Sequence, residues 1–409
     1  MASLPLGPFD DLDRVLPPEL RDIVGRTTPI PTIAQRAEKI RREDSRMVRA
    51  DIGQVSGIRP DVEILYGPPV GLDALRDALA ELYRRSFQLE RFDLPEITGK
   101  NVAVTTGAAE ALTVLFRCFG ETKNVGLPRG YWENYLNSVS LARGQAIVVD
   151  YFDAHGNLAL DALDRQIQES DLALLVVNFP CNPTGAVLLP EEAAGLAEVA
   201  RRRDVVLVSD EVYARLRFDD EPPISMLPYA PERTAVIGSA SKEYLLPGAR
   251  VGYVISARER LTDDVLRKVV RANTACPNVP GQQRVLGLVS ADLEDLRAGR
   301  AAGFLGHVRD ELRSRKESLV TVLRRHGFPI AGRAGHDPMG TIFLMAGLPE
   351  WWSGSDVEFV EEAIVRHCVS VIPGSAFGLE GTVRFSFGGL GREAIEQLDR
   401  NFADWRATV

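Results

Sequence analysis

Val205-Val206-Leu207-Val208-Ser209-Asp210-Glu211-Val212-Tyr213 and, further along, Ala235-Val236-Ile237-Gly238-Ser239-Ala240-Ser241-Lys242 decide how this chain folds. Each is an apolar, β-branched run that stops at polar groups, the pattern of a buried strand ending at a sheet edge. The first run delivers a carboxylate, Asp210; the second delivers two hydroxyls and an amine, Ser239, Ser241 and Lys242. A lone Asp or Lys is ordinarily a solvated surface group. At the ends of two apolar strands the pair predicts a site.

The pair suits one chemistry well. An amine condenses with an aldehyde, and an acid keeps a pyridine nitrogen protonated so that the ring accepts electrons from a carbanion. The two runs therefore predict an enzyme that uses pyridoxal phosphate.

Outward from these runs, helical and strand patterns alternate. Helical spacing over 72–86 and 108–119 alternates with short strand patterns at 101–105 and 124–127. Further strands are expected at 145–149, 172–178, 205–209 and 235–238, with a helix at 190–203. Such alternation predicts an α/β layer on a largely parallel sheet. A helix over 303–326 leads into a region with strand or helix patterns at 340–345, 357–367, 369–372 and 382–387, the size of a smaller second domain. The first 47 residues carry one helical pattern, 33–42, and read as an arm on a partner subunit or as part of the small domain.

Composition narrows the class. The 409 residues are 45% hydrophobic and 26% charged, enough for a large core. A net charge of −9 with no basic stripe argues against nucleic acid as a partner. Cys118, Cys181, Cys276 and Cys368 are too dispersed for a metal knuckle or redox pair, so no metal is expected and reduced thiols point to the cytoplasm. No signal sequence and no run of 18 apolar residues is present, so no membrane span is expected.

Other segments fit around the same ring. Thr106-Gly107-Ala108-Ala109-Glu110 lies between a strand and a helix, where small residues let backbone N–H groups approach a phosphate. Arg250 adds a guanidinium and Ser239 and Ser241 add hydroxyls. Asn178-Phe179-Pro180-Cys181-Asn182-Pro183-Thr184-Gly185 is a turn after an apolar strand. Asn182 and Tyr213 are candidate donors to a phenolic ring oxygen, and Cys181 reads as a small filler.

Asn-Pro-Thr-Gly at 182–185, Asp-Glu-Val-Tyr at 210–213, Ser-Ala-Ser-Lys at 239–242, Gly-Ala-Arg-Val-Gly at 248–252, Pro-Gly-Ser-Ala-Phe-Gly at 373–378 and Val-Arg-Phe-Ser at 383–386 together resemble the class I/II aminotransferases. The similarity runs from about Tyr66 to the C-terminus. It implies a fold-type-I, aspartate-aminotransferase-like α/β architecture with a mostly parallel sheet flanked by helices and a smaller α+β C-terminal domain. The implied division is 1–57 as arm and part of the small domain, 58–300 as the large cofactor-binding domain and 301–409 as the small one.

The resemblance also implies roles. Lys242 carries the Schiff base and moves the proton, Asp210 pairs with the pyridinium nitrogen, and Asn182 and Tyr213 hold the ring oxygen. Gly107, Ala108, Ala109, Ser239, Ser241 and Arg250 hold the phosphate. Trp132, in Gly130-Tyr131-Trp132-Glu133-Asn134-Tyr135, stacks on the ring, with Tyr131 as second choice. Arg384 clamps the carboxylate of an amino-acid substrate, with Gly53, Asn182 and Tyr131 also facing it. Tyr66 resembles the tyrosine that reaches a neighbouring subunit's phosphate, which implies a homodimer with shared active sites.

Two departures stand out. Ile52-Gly53-Gln54-Val55-Ser56-Gly57 lies too close to Tyr66 for the helix that usually separates them, so the substrate-facing wall there must be rebuilt. Glu243 follows Lys242 where a small or hydroxyl residue is common; it is either exposed or an electrostatic neighbour of the lysine. Trp351-Trp352 read as packing residues more than as a cover for the site. Transamination of an L-amino acid with a 2-oxo acid is the first expectation. Elimination, oxidative deamination or decarboxylation is the second, and a non-catalytic regulatory module the least favoured.

Overall fold

The apolar runs lie side by side. In the computed structural model, which describes residues 4–25, 39, 65–153, 156–219, 221–330, 332 and 337–408, seven strands form one sheet. They are β1 (Val102–Thr105), β2 (Asn124–Pro128), β3 (Gln145–Val149), β4 (Leu172–Asn178), β5 (Val206–Asp210), β6 (Thr234–Ser239) and β7 (Gly252–Ile255). Their order is β1-β7-β6-β5-β4-β2-β3. All neighbours are parallel except β7, which runs antiparallel to both β1 and β6.

Both faces of the central strands are covered. Val206 and Val208 join a core cluster with Leu112, Leu115 and Phe116 of the helix Gly107–Phe119, whereas Leu207 points the other way, to Leu196 and Ala200 of the helix Pro190–Arg202. This period of two explains why β5 reads as a continuous apolar run: each side chain meets a helix on one face or the other. Leu207 is completely buried, and truncating such a residue to alanine costs about 2–5 kcal/mol.

Register places the polar strand ends together. Asn178 of β4 pairs with Asp210 of β5, Asp210 pairs with Ile237 of β6, and Ser239 pairs with Gly252 of β7. Polar residues closing β4, β5 and β6 thus share the carboxyl edge, where open α/β sheets build their crevices.

A second sheet of three antiparallel strands follows in the order β8-β10-β9, with β8 Phe343–Gly347, β9 Ile372–Pro373 and β10 Thr382–Ser386. The helix Gly303–Arg325 precedes it, and Asp356–His367 and Arg392–Arg406 pack nearby. The helix Asp356–His367 starts at a capping box in which Glu358 N–H donates to Ser355 Oγ (3.2 Å) and Ser355 N–H donates to Glu358 Oε2 (2.7 Å). Trp351 and Trp352 pack edge-on against Trp405 at 5.2 and 5.7 Å, as expected.

Residues 4–25 rest on the large sheet's helices. Phe9 packs at a tilt against Phe119, ring centres 5.1 Å apart, and Arg258 and Arg260 pair with Asp10 (2.6 Å) and Asp13 (2.8 Å). The helix expected at 33–42 lies outside the described residues apart from Lys39. Among the described residues no helix is long and apolar enough to cross a membrane, and no group of three or more His, Cys, Asp or Glu is placed to hold a metal.

The antiparallel β7 has no counterpart in the sequence reading. Its run is short and opens on Gly252, and periodicity does not report strand direction. The helices Asn134–Leu141, Leu160–Glu169, Leu266–Thr274, Val279–Arg297 and Arg392–Arg406 were likewise not foreseen.

Candidate active site

Asp210 is buried at the end of β5. Tyr135 Oη donates to its Oδ2 over 2.6 Å, and the Asn178 side-chain amide donates to its backbone carbonyl over 2.9 Å. Burial pushes the carboxyl up to about 6, against the opposing pull of the Tyr135 hydrogen bond, the Val212 N–H and the Lys242 amine. An anion held in such a place gains much from a cationic partner.

Lys242 lies on the single helical turn Ala240–Glu243 that follows β6. Ser239 caps that turn: its Oγ accepts from Ser241 N–H at 3.1 Å and stands 2.9 Å from Ser241 Oγ. Lys242 Nζ lies 5.6 Å from the centre of the Tyr213 ring. Desolvation, and then the positive charge of Arg384, lower its pKa, with Asp210 opposing. A depressed amine is the more available nucleophile.

Between β1 and its helix the backbone turns at Gly107, with φ +78. A Cβ there would stand 2.3 Å from Arg250 Nη2, and a Cβ on Gly252 would stand 2.4 Å from Ala108 N. Only glycine lets these segments close on one another. Arg250 itself holds φ +52, a conformation that costs a side-chain-bearing residue about 1–3 kcal/mol and clusters at functional positions. Glu110 steadies the turn by accepting from Thr106 N–H at 2.6 Å. The helix start, the Ser239 and Ser241 hydroxyls and the exposed Arg250 guanidinium supply the donors that a phosphate requires.

From the second sheet, β10 brings Arg384 to the same place. Its guanidinium carbon lies 4.2 Å from the Phe343 ring centre and 4.6 Å from that of Phe377, a sandwich that holds the fork in one plane. Nη1 donates to Asn182 Oδ1 at 3.1 Å, while the buried Nε has no hydrogen-bond partner. With its oxygen engaged by Arg384, the Asn182 amide presents N–H groups as donors. Asn178 Oδ1 accepts from Asn182 N–H at 3.0 Å and ties this loop to β4.

Asp210, Tyr213, Lys242 and Asn182 are therefore gathered from three strand ends and Arg384 from the middle of β10, with Gly107, Ala108, Ala109, Ser239, Ser241 and Arg250 alongside. Tyr131 and Trp132 are half-buried in the same core, Trp132 edge-on to Tyr135 at 5.7 Å. Tyr66 is 73% exposed. Gly53 lies outside the described residues. Glu243 is buried and paired with Arg215, so the exposed alternative for it fails. Tyr135, Asn178 and the two phenylalanines around Arg384 were missed; Tyr135 stood in the quoted aromatic stretch, three positions after Trp132. Residues that fit a pyridine nitrogen, a phenolic oxygen, an aldehyde and a phosphate are all present in one place.

Comparison with known proteins gives a consistent picture. The family model for aminotransferase class I and II matches residues 61–400. The chain is 28% identical over 347 residues to an aspartate aminotransferase of Bacillus subtilis, covering 82% of this chain and 83% of that protein. It is 30% identical over 342 residues to a probable aspartate/prephenate aminotransferase of Thermus aquaticus, covering 83% and 82%. Among solved structures, N-succinyldiaminopimelate aminotransferase from Mycobacterium tuberculosis superposes with a TM-score of 0.72 at 28% identity, covering 91% of this chain and 90% of that one.

Proposed function

This chain belongs to the class I and II aminotransferases and is a pyridoxal-phosphate-dependent enzyme of aspartate-aminotransferase fold, and on that premise we propose how its residues carry amino-group transfer between an L-amino acid and a 2-oxo acid. The observation that carries the assignment of roles is the meeting of Lys242 with Asp210, Asn182 and Arg384 at one sheet edge.

When bound, the cofactor supplies an aldehyde for a Schiff base and a ring that takes up the electrons left as Cα loses its proton. Lys242 is the amine for that linkage, and its Nζ then holds and moves the Cα proton. Asp210, fixed by Tyr135, holds the proton on the ring nitrogen. Asn182 and Tyr213 donate to the ring oxygen, and Trp132, or failing that Tyr131, covers the ring face. Gly107, Ala108 and Ala109 present backbone to the phosphate, with Ser239, Ser241 and Arg250 around it. Arg384 orients the substrate by its α-carboxylate through the planar fork.

The exposed position of Tyr66 supports a homodimer in which this ring reaches the phosphate site of a second copy. Four free cysteines support a reducing, cytoplasmic setting. The relatives are named as aminotransferases, which favours transfer over elimination or oxidative deamination. Mass spectrometry of products from an amino-acid panel, with and without 2-oxoglutarate, tests this. Oxo-acid formation that depends on the acceptor is expected; turnover without any acceptor would overturn transamination.

A further inference from the structure

The lysine's carrier turn is held from behind. Glu243, the next residue after Lys242, is buried, and so is Arg215, two residues after Tyr213. Arg215 Nε donates to Glu243 Oε2 at 2.9 Å, Nη2 donates to the same oxygen, and the Arg215 backbone N–H donates to Oε1 at 3.3 Å. The pair therefore bridges the Tyr213 turn and the Lys242 turn, which belong to the ends of β5 and β6.

A second tie reinforces the first. Tyr244 lies under the Arg215 guanidinium, 5.3 Å from ring centre to Cζ, and its Oη donates to Asp292 Oδ2 at 2.9 Å. Arg215 Nη1 faces the same carboxylate at 4.0 Å. Both residues after the lysine are thus fastened, one to the Tyr213 turn and one to the helix Val279–Arg297. Neither Arg215 nor Glu243 is among the groups placed around the cofactor.

We propose that Arg215 and Glu243 are positioning residues for amino-group transfer: the buried pair sets the distance and direction of Lys242 relative to Tyr213 and Asp210. A buried ion pair is a poor stabiliser of a fold, because desolvation offsets most of the attraction, and its best-attested use is to specify one arrangement. A planar guanidinium that grips one carboxylate and adds its own backbone N–H suits that use. The inference rests on the site reading given under Proposed function.

Three variants of the cofactor-loaded enzyme test it: Glu243→Gln, Arg215→Lys and the double change Arg215→Leu with Glu243→Leu. Borohydride trapping and peptide mapping of the unmodified enzyme come first, since a label absent from Lys242 refutes the site reading itself, and this inference with it. With the label in place, kcat is expected to fall by about 10- to 100-fold with KM little changed, as for a small displacement of a reacting group. The pH titration of the cofactor's visible absorbance should move in all three. The double variant should melt near the unmodified protein and still turn over slowly. Unmodified kcat and titration in the folded double variant, or in Glu243→Gln and Arg215→Lys should the double variant not fold, would reduce the pair to a structural salt bridge.

Discussion

Tyr135 Oη donates to Asp210 Oδ2 over 2.6 Å in the core, where both residues are almost wholly buried. The bond opposes the burial that drives the Asp210 carboxyl up to about 6. A hydrogen bond to a charged group contributes about 1.5–3 kcal/mol. Tyr135→Phe should therefore raise the Asp210 pKa further and weaken cofactor binding by roughly one to two orders of magnitude. Titration of cofactor-free protein with pyridoxal phosphate, followed by absorbance, measures this; an unaltered dissociation constant would show that the bond is incidental.

The same carboxyl sets a pH dependence on stability. Its folded-state pKa of about 6 lies above the usual 3.8, so the folded cofactor-free protein holds the proton more tightly than the unfolded chain. Stability from this group is complete below the lower value and is lost as pH rises through the upper one. Asp210→Asn removes that loss. The cofactor-free variant should gain about 1–3 kcal/mol near neutral pH and nothing at low pH, while losing turnover. Melting curves for both proteins across the acidic to neutral range decide the matter, and parallel profiles would contradict it.

Arg384 sits between Phe343 and Phe377 with its Nε unpartnered. Arg384→Ala should raise KM for carboxylate substrates by an amount equivalent to about 3–5 kcal/mol, the penalty for a charge pair left half made. Arg384→Lys keeps charge without the fork and should recover only part of it. Steady-state kinetics on amino acids and their decarboxylated amines separates the cases; equal KM values for acid and amine in the unmodified enzyme would place the carboxylate elsewhere.

Lys242→Ala should abolish turnover and leave nothing for borohydride to attach to the protein at this site. The fold should persist, since the residue is only half-buried. Circular dichroism alongside the assay checks both parts, and residual full activity would remove the lysine from the mechanism.

Trp405 is 1% exposed and meets Trp351, Trp352, Phe359 and Phe402. Trp405→Ala should destabilise the protein by about 3–5 kcal/mol through lost contact and the cavity left behind. Denaturant titration reads the change, and a loss below about 1 kcal/mol would mean that the cluster closes over the gap.

Much of this was legible along the chain. The runs ending at Asp210 and at Ser239 appear in the fold within a residue or so of their expected limits, because strands buried on both faces must be apolar at every position. Asp210 and Lys242 stood out for the same reason: a polar residue at the end of such a run meets the sheet edge. The helix expected at 190–203 likewise appears as Pro190–Arg202.

What the chain did not disclose depends on residues far apart in sequence. The direction of β7, the partner of Asp210, the phenylalanines around Arg384 and the burial of Glu243 against Arg215 are properties of pairs, settled only when helices and strands pack. Local composition determines which segments are strands, since each residue's exposure to water follows from its neighbours along the run. It carries no record of which distant side chain will neutralise a buried charge. That choice is made by three-dimensional contact, because a charge in the core is tolerable only where a partner is close enough to replace the water it has lost.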